Sequence, residues 1–316
     1  MGTEIQIKEK MRDTVEVIMA DGTVLEGPRH APVGDFMKRY QDPQKPQIVG
    51  AIVNHELREL TYPLAADAEV VPINMSDSDG ARIYRRSLTF LLEVAFLESF
   101  SNWKLNIDHS VSSGAYYCHV PEQEPFSQEK LDKLYRRMRE LVDADYPMVR
   151  EKVDLEEAKA FFRKHHQDDK LRLLNYRRGD DLVLYNLQGK RDYHHGYMVP
   201  STGYLKWFDL QLVGSGFVLR FPRRHAPNRL LPMQIDPQLL AAFRQYGDWL
   251  ETLGIQSVGA LNDEIRDGRI REVILVSEAL HAQQIARIAN LIKDQKDKIR
   301  VILIAGPTSS GTTTFS

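Results

Sequence analysis

Residues 14–27 read TVEVIMADGTVLEG, with β-branched and other apolar residues alternating with polar ones on either side of Asp21-Gly22. Asp-Gly suits the positive backbone angles of a two-residue turn, so the stretch predicts a β-hairpin as the first element. Residues 31–40, APVGDFMKRY, then place Val33, Phe36, Met37 and Tyr40 at helical spacing. The apolar runs IVGAIVN (48–54) and AEVVPINM (68–75) are strand candidates. A hairpin, a short helix and further strands within about sixty residues predict a small β-grasp sheet packed on one helix.

Outward from this sheet, Asp77, Ser78, Asp79 and Gly80 are turn and cap residues ahead of an apolar-rich run over 82–100, which predicts a buried helix. Residues 127–143 put Leu131, Leu134, Tyr135, Met138, Leu141 and Val142 on one helical stripe. DLEEAKAFFRKHH (154–166) has Asp154 and Glu157 at capping-box spacing. Strands return at DLVLYNL (181–187) and in 204–221, where Gly214-Ser215-Gly216 suits a hairpin turn. Residues 82–225 read as one α+β domain, and the polar, proline-bracketed PRRHAPNR (222–229) as a connector. Beyond it the pattern is mainly helical: Asp236-Pro237 is an N-cap and first-turn pair, Gly254 a C-terminal cap, and 277–295 carries one apolar face.

With 42% hydrophobic and 27% charged residues in 316, the chain can bury substantial cores, and two or three domains are expected. A net charge of -2 provides no global basic field, so any nucleic-acid contact would come from a local patch. Cys118 is the single cysteine, which excludes an internal disulfide and a four-thiolate zinc site and fits a reducing cytoplasm. The first residues lack an apolar core, no run approaches the roughly 20 residues that span a bilayer, and Gln6 stands where myristoylation needs Ser or Thr. A cytoplasmic protein without membrane contact is expected.

Residues 300–316, RVILIAGPTSSGTTTFS, run from an apolar strand candidate (301–305) into a loop with Gly306 and Gly311 five positions apart. This is close to the G-x-x-x-x-G-K-[ST] phosphate loop, whose backbone N–H groups converge on phosphate oxygens. Gly306, Thr308, Ser309, Ser310, Gly311, Thr312 and Thr313 are the candidate nucleotide-binding residues, with Thr313 where a hydroxyl would ligate Mg²⁺. Thr312 occupies the lysine position. Loss of one such electrostatic stabiliser typically costs about 3–4 kcal/mol in the transition state.

IAGPTSSGTTTFS resembles the phosphate loop of uridine kinase-like nucleoside kinases that carry threonyl-tRNA-synthetase-like domains ahead of the kinase. ALNDEIRDGRIREVILVSEALHAQQIARIA and INMSDSDGARIYRRSLTFLL resemble other stretches of that family. The resemblance implies a TGS-like β-grasp domain at 12–75 and a second-additional-domain-like α+β domain, as in threonyl- and alanyl-tRNA synthetases, at 82–225. A helical connecting segment follows at 230–298, and the start of a kinase domain at 299–316. HSVSSGAYYCHV and VPSTGYLKWFDL carry the second-domain similarity. The implied parent reaction is ATP-dependent, Mg²⁺-assisted phosphoryl transfer to a nucleoside. The chain itself is expected to be inactive and to hold neither ATP nor Mg²⁺ strongly, because its phosphate loop lacks lysine and the sequence stops five residues after Gly311.

In the synthetase pattern, HxxxH on a helix and CxxxH on a later strand gather four donors for a metal or a hydrolytic water. Here those positions are Arg86 and Phe90, then His194 and Met198. With three of four donors absent, aminoacyl-tRNA deacylation is not expected. The pairs His194-His195 and His165-His166, and His109 with His119, lack metal-ligand spacing and are read as solvated or hydrogen-bonded. Arg85-Arg86, Arg136-Arg137, Arg177-Arg178 and Arg223-Arg224, near Tyr84, Tyr135, Tyr176 and Phe221, are candidate phosphate- and base-contacting residues. The alternative to the kinase reading is therefore a non-catalytic RNA- or nucleotide-binding module.

Overall fold

In the computed structural model, β1 (Thr14–Met19) and β2 (Val24–Pro28) form the antiparallel hairpin around Gly22, whose φ of 86° is the left-handed conformation the turn requires. The described residues are 12–306, apart from 112–113, 124 and 235. After α1 (Val33–Tyr40) come β3 (Ile48–Val53), β4 (Glu56–Arg58) and β5 (Ala68–Asn74). They complete a five-stranded mixed sheet in the order β2-β1-β5-β3-β4, in which only β1 and β5 run parallel. Val33, Phe36 and Met37 of α1 pack against Val15, Val17, Ala51, Val53 and Val70 of the strands, so one helix covers one sheet face.

The chain leaves this sheet through a tight junction. Asp77 accepts a hydrogen bond from Asn74 N at 2.8 Å, and a Cβ on Gly80 would sit 1.9 Å from Asn74 O. Only glycine lets α2 (Ser78–Ser99) start against the end of β5. The helix begins ahead of the apolar run at 82–100 because the cap residues at 77–80 are drawn into it.

Next come β6 (Asn106–Val111), β7 (Ala115–His119), α3 (Gln128–Asp143) and β8 (Val149–Asp154). After an excursion over 155–180, β9 (Asp181–Leu187), β10 (Lys190–Asp192), β11 (Asp209–Val213) and β12 (Gly216–Arg220) follow. They form two antiparallel sheets, β10-β9-β8 and β11-β12-β7-β6. Leu88, Leu91, Leu92 and Val94 of α2 and Leu134 and Met138 of α3 share one core with Cys118, Tyr185, Phe217 and Leu219 from the strands. The architecture is α+β with mixed and antiparallel sheets.

Chain contacts divide the molecule into two compact units, one of residues up to 154 with 181–240 and one of 155–180 with residues from 241 on. The sequence-based bounds of 82–225 and 230–298 keep 155–180 with the strands; in the structure these residues group with the later helices. The second unit holds α4 (Leu155–Lys164), α5 (Asp168–Leu174), most of α6 (Pro237–Thr252), α7 (Val258–Arg266) and α8 (Ile270–Asp294). Gly259 lets α7 approach α5, since a Cβ there would lie 2.9 Å from Leu173 N. Asp263 accepts from Arg172 Nε at 2.7 Å and Tyr176 Oη at 2.5 Å, and these donors hold its carboxyl below the usual range.

Asp154 closes β8 opposite Asp181, directly ahead of α4, and Leu155 N donates to Asp180 O at 2.9 Å. One local expectation is corrected. Residues 301–305 form no strand: Val301, Ile302, Leu303 and Ile304 are exposed, because an apolar run becomes a strand only when a neighbouring strand pairs with it. No helix among the described residues is long and apolar enough to cross a membrane.

Candidate functional site

Arg86, Phe90 and Glu93 lie at successive turns of α2, on the stripe that faces the irregular segment 193–199 following β10. Two serine hydrogen bonds fix that relation. Ser87 Oγ, fully buried, donates to Ile83 O at 2.8 Å and accepts from Val199 N at 2.9 Å. Arg86 reaches across Gly196, whose φ is 98° and whose missing Cβ would meet the guanidinium at 2.9 Å, and donates to Tyr197 O at 2.6 Å. Burial lowers the Arg86 pKa, so its charge is held at a desolvation cost that the carbonyl contact offsets.

Phe90 meets the edge of His194 with ring centroids 5.2 Å apart. Met198 is buried, and its N–H donates to Tyr185 Oη at 3.2 Å. The four positions Arg86, Phe90, His194 and Met198 thus line the same α2–loop junction, with direct contact between Phe90 and His194. Arg86 is committed to a carbonyl, Phe90 has no donor atom, and only the imidazole and the thioether present lone pairs.

The sequence reading passed over two more participants. Glu93 Oε2 lies 3.2 Å from His194 Nε2, and Asp192, almost fully buried, has its carboxylate beside both. Helical spacing from Phe90 and strand alternation from His194 were the signals that point to them. The segment is also braced from behind: Tyr185 Oη donates to Glu59 Oε2 at 2.7 Å, and Arg191 pairs with Glu151 at 2.9 Å. Burial, with the Glu59 charge adding to it, raises the Tyr185 phenol well above its ordinary pKa, so it stays a neutral donor.

Two guanidinium groups stand near Tyr197, that of Arg58 also paired with Glu56. Arg58 Nη1 lies 3.4 Å from the Tyr197 hydroxyl, and the exposed Arg150 stands 5.8 Å over its ring. Of the arginine pairs singled out from sequence, Arg86 lies at this junction. Arg85 stacks on Phe221, Arg137 is held by Glu98 and Glu140, and Tyr176 donates to Asp263. Arg85 and Arg137 are thereby engaged by intramolecular partners.

Of the other histidines singled out from sequence, His195 is exposed within the 193–199 segment and the rest lie elsewhere in the chain. His119 Nδ1 lies 2.9 Å from Asp108 Oδ2 on the β6–β7 sheet, where His109 stacks on Tyr117; His165 and His166 follow α4 and are exposed. Cys118 is fully buried and its thiol pKa is pushed up, so it is chemically quiet. Of the phosphate-loop candidates, Gly306 is exposed, while Thr308, Ser309, Ser310, Gly311, Thr312 and Thr313 lie outside the described residues.

No family model matches the chain. Among curated proteins it is similar to threonine–tRNA ligases. It is 30% identical to that of Symbiobacterium thermophilum over 209 residues, 66% of this chain and 32% of the relative. It is 31% identical to that of Hyphomonas neptunium over 207 residues, 64% of this chain and 31% of the relative. To threonine–tRNA ligase 1 of Bacillus subtilis it is 30% identical over 208 residues, 66% and 32% respectively. The chain therefore spans about a third of the length of the curated relatives it matches. This likeness overturns the uridine kinase-like expectation and its phosphoryl-transfer reaction, and lends no support to nucleoside or ATP as partners. That expectation rested on the loop at 304–316 and on the stretches 73–92 and 260–289, whereas the match to tRNA ligases extends over two thirds of the sequence.

Proposed function

We propose that the chain acts on tRNA as a binding region, using a TGS-like β-grasp domain at 12–75 and a second-additional-domain-like α+β domain at 82–225 to hold the RNA without hydrolysing it. The observation that carries this reading is the 30% identity over 209 residues to a threonine–tRNA ligase. The exposed Arg150 over the Tyr197 ring, with Arg58 nearby and paired to Glu56, supports it, since guanidinium groups engage phosphates and aromatic faces accept bases. The donor set at Arg86, Phe90, His194 and Met198 supports the absence of deacylation by an HxxxH/CxxxH site, because a phenyl ring and an engaged guanidinium cannot activate water. The helical residues 230–298 serve as a connecting segment in this reading.

The test is fluorescence anisotropy of labelled tRNA titrated with the purified chain at several salt concentrations. Affinity is expected to fall linearly on a log–log plot as counterions are released, and Arg58→Ala with Arg150→Ala is expected to weaken it by about tenfold and flatten the slope. Mischarged tRNA is expected to keep its amino acid. No binding at low salt would overturn the proposal.

A further inference from the structure

Glu93, Asp192 and His194 each offer one donor atom within 4.8 Å of the other two, and they come from α2, the end of β10 and the loop beyond it. His194 Nε2 and Glu93 Oε2 are 3.2 Å apart, and both atoms are sealed from solvent. Nitrogen and oxygen donors bound tetrahedrally to zinc at about 2.0–2.1 Å are about 3.3 Å from one another. One pair already has that separation, and the third donor needs to close by only about an ångström and a half.

The surroundings favour a cation. Two carboxylates this close in a mostly buried site repel, and a divalent ion relieves that repulsion while a neutral imidazole completes the donor set. Tyr193 N donates to Asp192 Oδ1 at 2.6 Å and the Phe90 edge abuts the His194 ring, so both donors are held in orientation. Glu93 keeps 29% of its side chain exposed and His194 13%, so the cluster lies close to the surface although its two facing donor atoms are covered. An imidazole with only two carboxylates suits zinc-class ions better than calcium or magnesium, which take oxygen donors in larger number or keep their waters.

We propose that Glu93, Asp192 and His194 form a binding site for a zinc-class divalent cation, with a fourth coordination position open to water. The donors differ from the HxxxH/CxxxH set, sharing only His194 with it, so the junction that lost one set of ligands carries another.

The full chain, stripped with a chelator, is titrated with Zn²⁺ by calorimetry and with Co²⁺ by visible absorption. One ion per chain is expected, with tetrahedral-type cobalt absorption and a zinc-dependent rise in Tm. Glu93→Gln and His194→Ala are each expected to reduce affinity by about 100-fold or more. Glu93→Gln is near-isosteric and keeps the test valid if His194→Ala fails to fold. Absence of binding at micromolar metal, or binding that Glu93→Gln leaves unchanged, overturns the site. Metal binding is read without RNA, so its failure and that of tRNA recognition are separate results.

Discussion

Tyr185→Phe tests whether the candidate site is held by its backing. The ring is 1% exposed, and its hydroxyl donates to Glu59 Oε2 at 2.7 Å and accepts from Met198 N at 3.2 Å. Phenylalanine fills the same space, so the packing term is nearly unchanged and the loss is polar. A hydrogen bond to a charged acceptor contributes about 1.5–3 kcal/mol, and an N–H left buried without a partner costs a similar amount, partly the same free energy counted from the other side. The expected destabilisation is about 2–3 kcal/mol, or roughly 5–10 °C in Tm for a unit of this size. Urea unfolding followed by tryptophan fluorescence is the assay, since Trp103 and Trp207 lie in the unit that contains Tyr185. A double-mutant cycle with Glu59→Gln should return a coupling of about 1 kcal/mol or more. A loss below about 0.5 kcal/mol, or additive effects, would refute the reasoning.

Gly80→Ala should destabilise by about 3 kcal/mol or abolish folding, because its Cβ would collide with the Asn74 carbonyl; Gly247→Ala, in a helix with open space, should instead stabilise by about 0.5–1 kcal/mol. Equal effects in the two variants on denaturant unfolding would remove the steric argument. Burial lowers the His109 pKa, with Asp108 opposing and His119 reinforcing the shift. The unfolded chain therefore binds the proton more readily, so this stability is present above about pH 6.5 and lost as pH falls through the lower folded value. His109→Gln should flatten the stability–pH profile between pH 7 and 5, and an unchanged slope would exclude His109 as its source.

Much of the first unit was legible because local chemistry and tertiary demand agree there. Asp21-Gly22 forms its turn, Gly214 takes φ 60° between β11 and β12, and the stripe on α1 faces its sheet. β4 was missed because three residues, ELR, carry no periodicity and become a strand only by pairing with β3. The run at 301–305 shows the reverse case, strand-like composition without a partner. At the junction, four positions were named from a resemblance, while Glu93 and Asp192 were passed over because acidic residues abound on helices and strand ends. Spacing from Phe90 and His194 reaches them, but their significance comes from their mutual proximity, which the fold alone creates. The kinase reading failed because its loop of glycines and hydroxyl residues is a common composition, and that loop with two further stretches weighs less than similarity spread over two hundred residues.

The division of the chain has a consequence for its synthesis. Each compact unit is interrupted: β8 pairs with β9 across the excursion at 155–180, and those helices group with residues from 241 on. As the polypeptide leaves the ribosome, β8 emerges without its partner, and α4 and α5 appear before α7 has been made. α5 then waits through all of 181–240 before Asp263 arrives to receive Arg172 and Tyr176. Neither unit can close in the order of its translation, so apolar surface stays open on both until the segments that complete them have been made, and that interval is when the nascent chain is most exposed to mispairing.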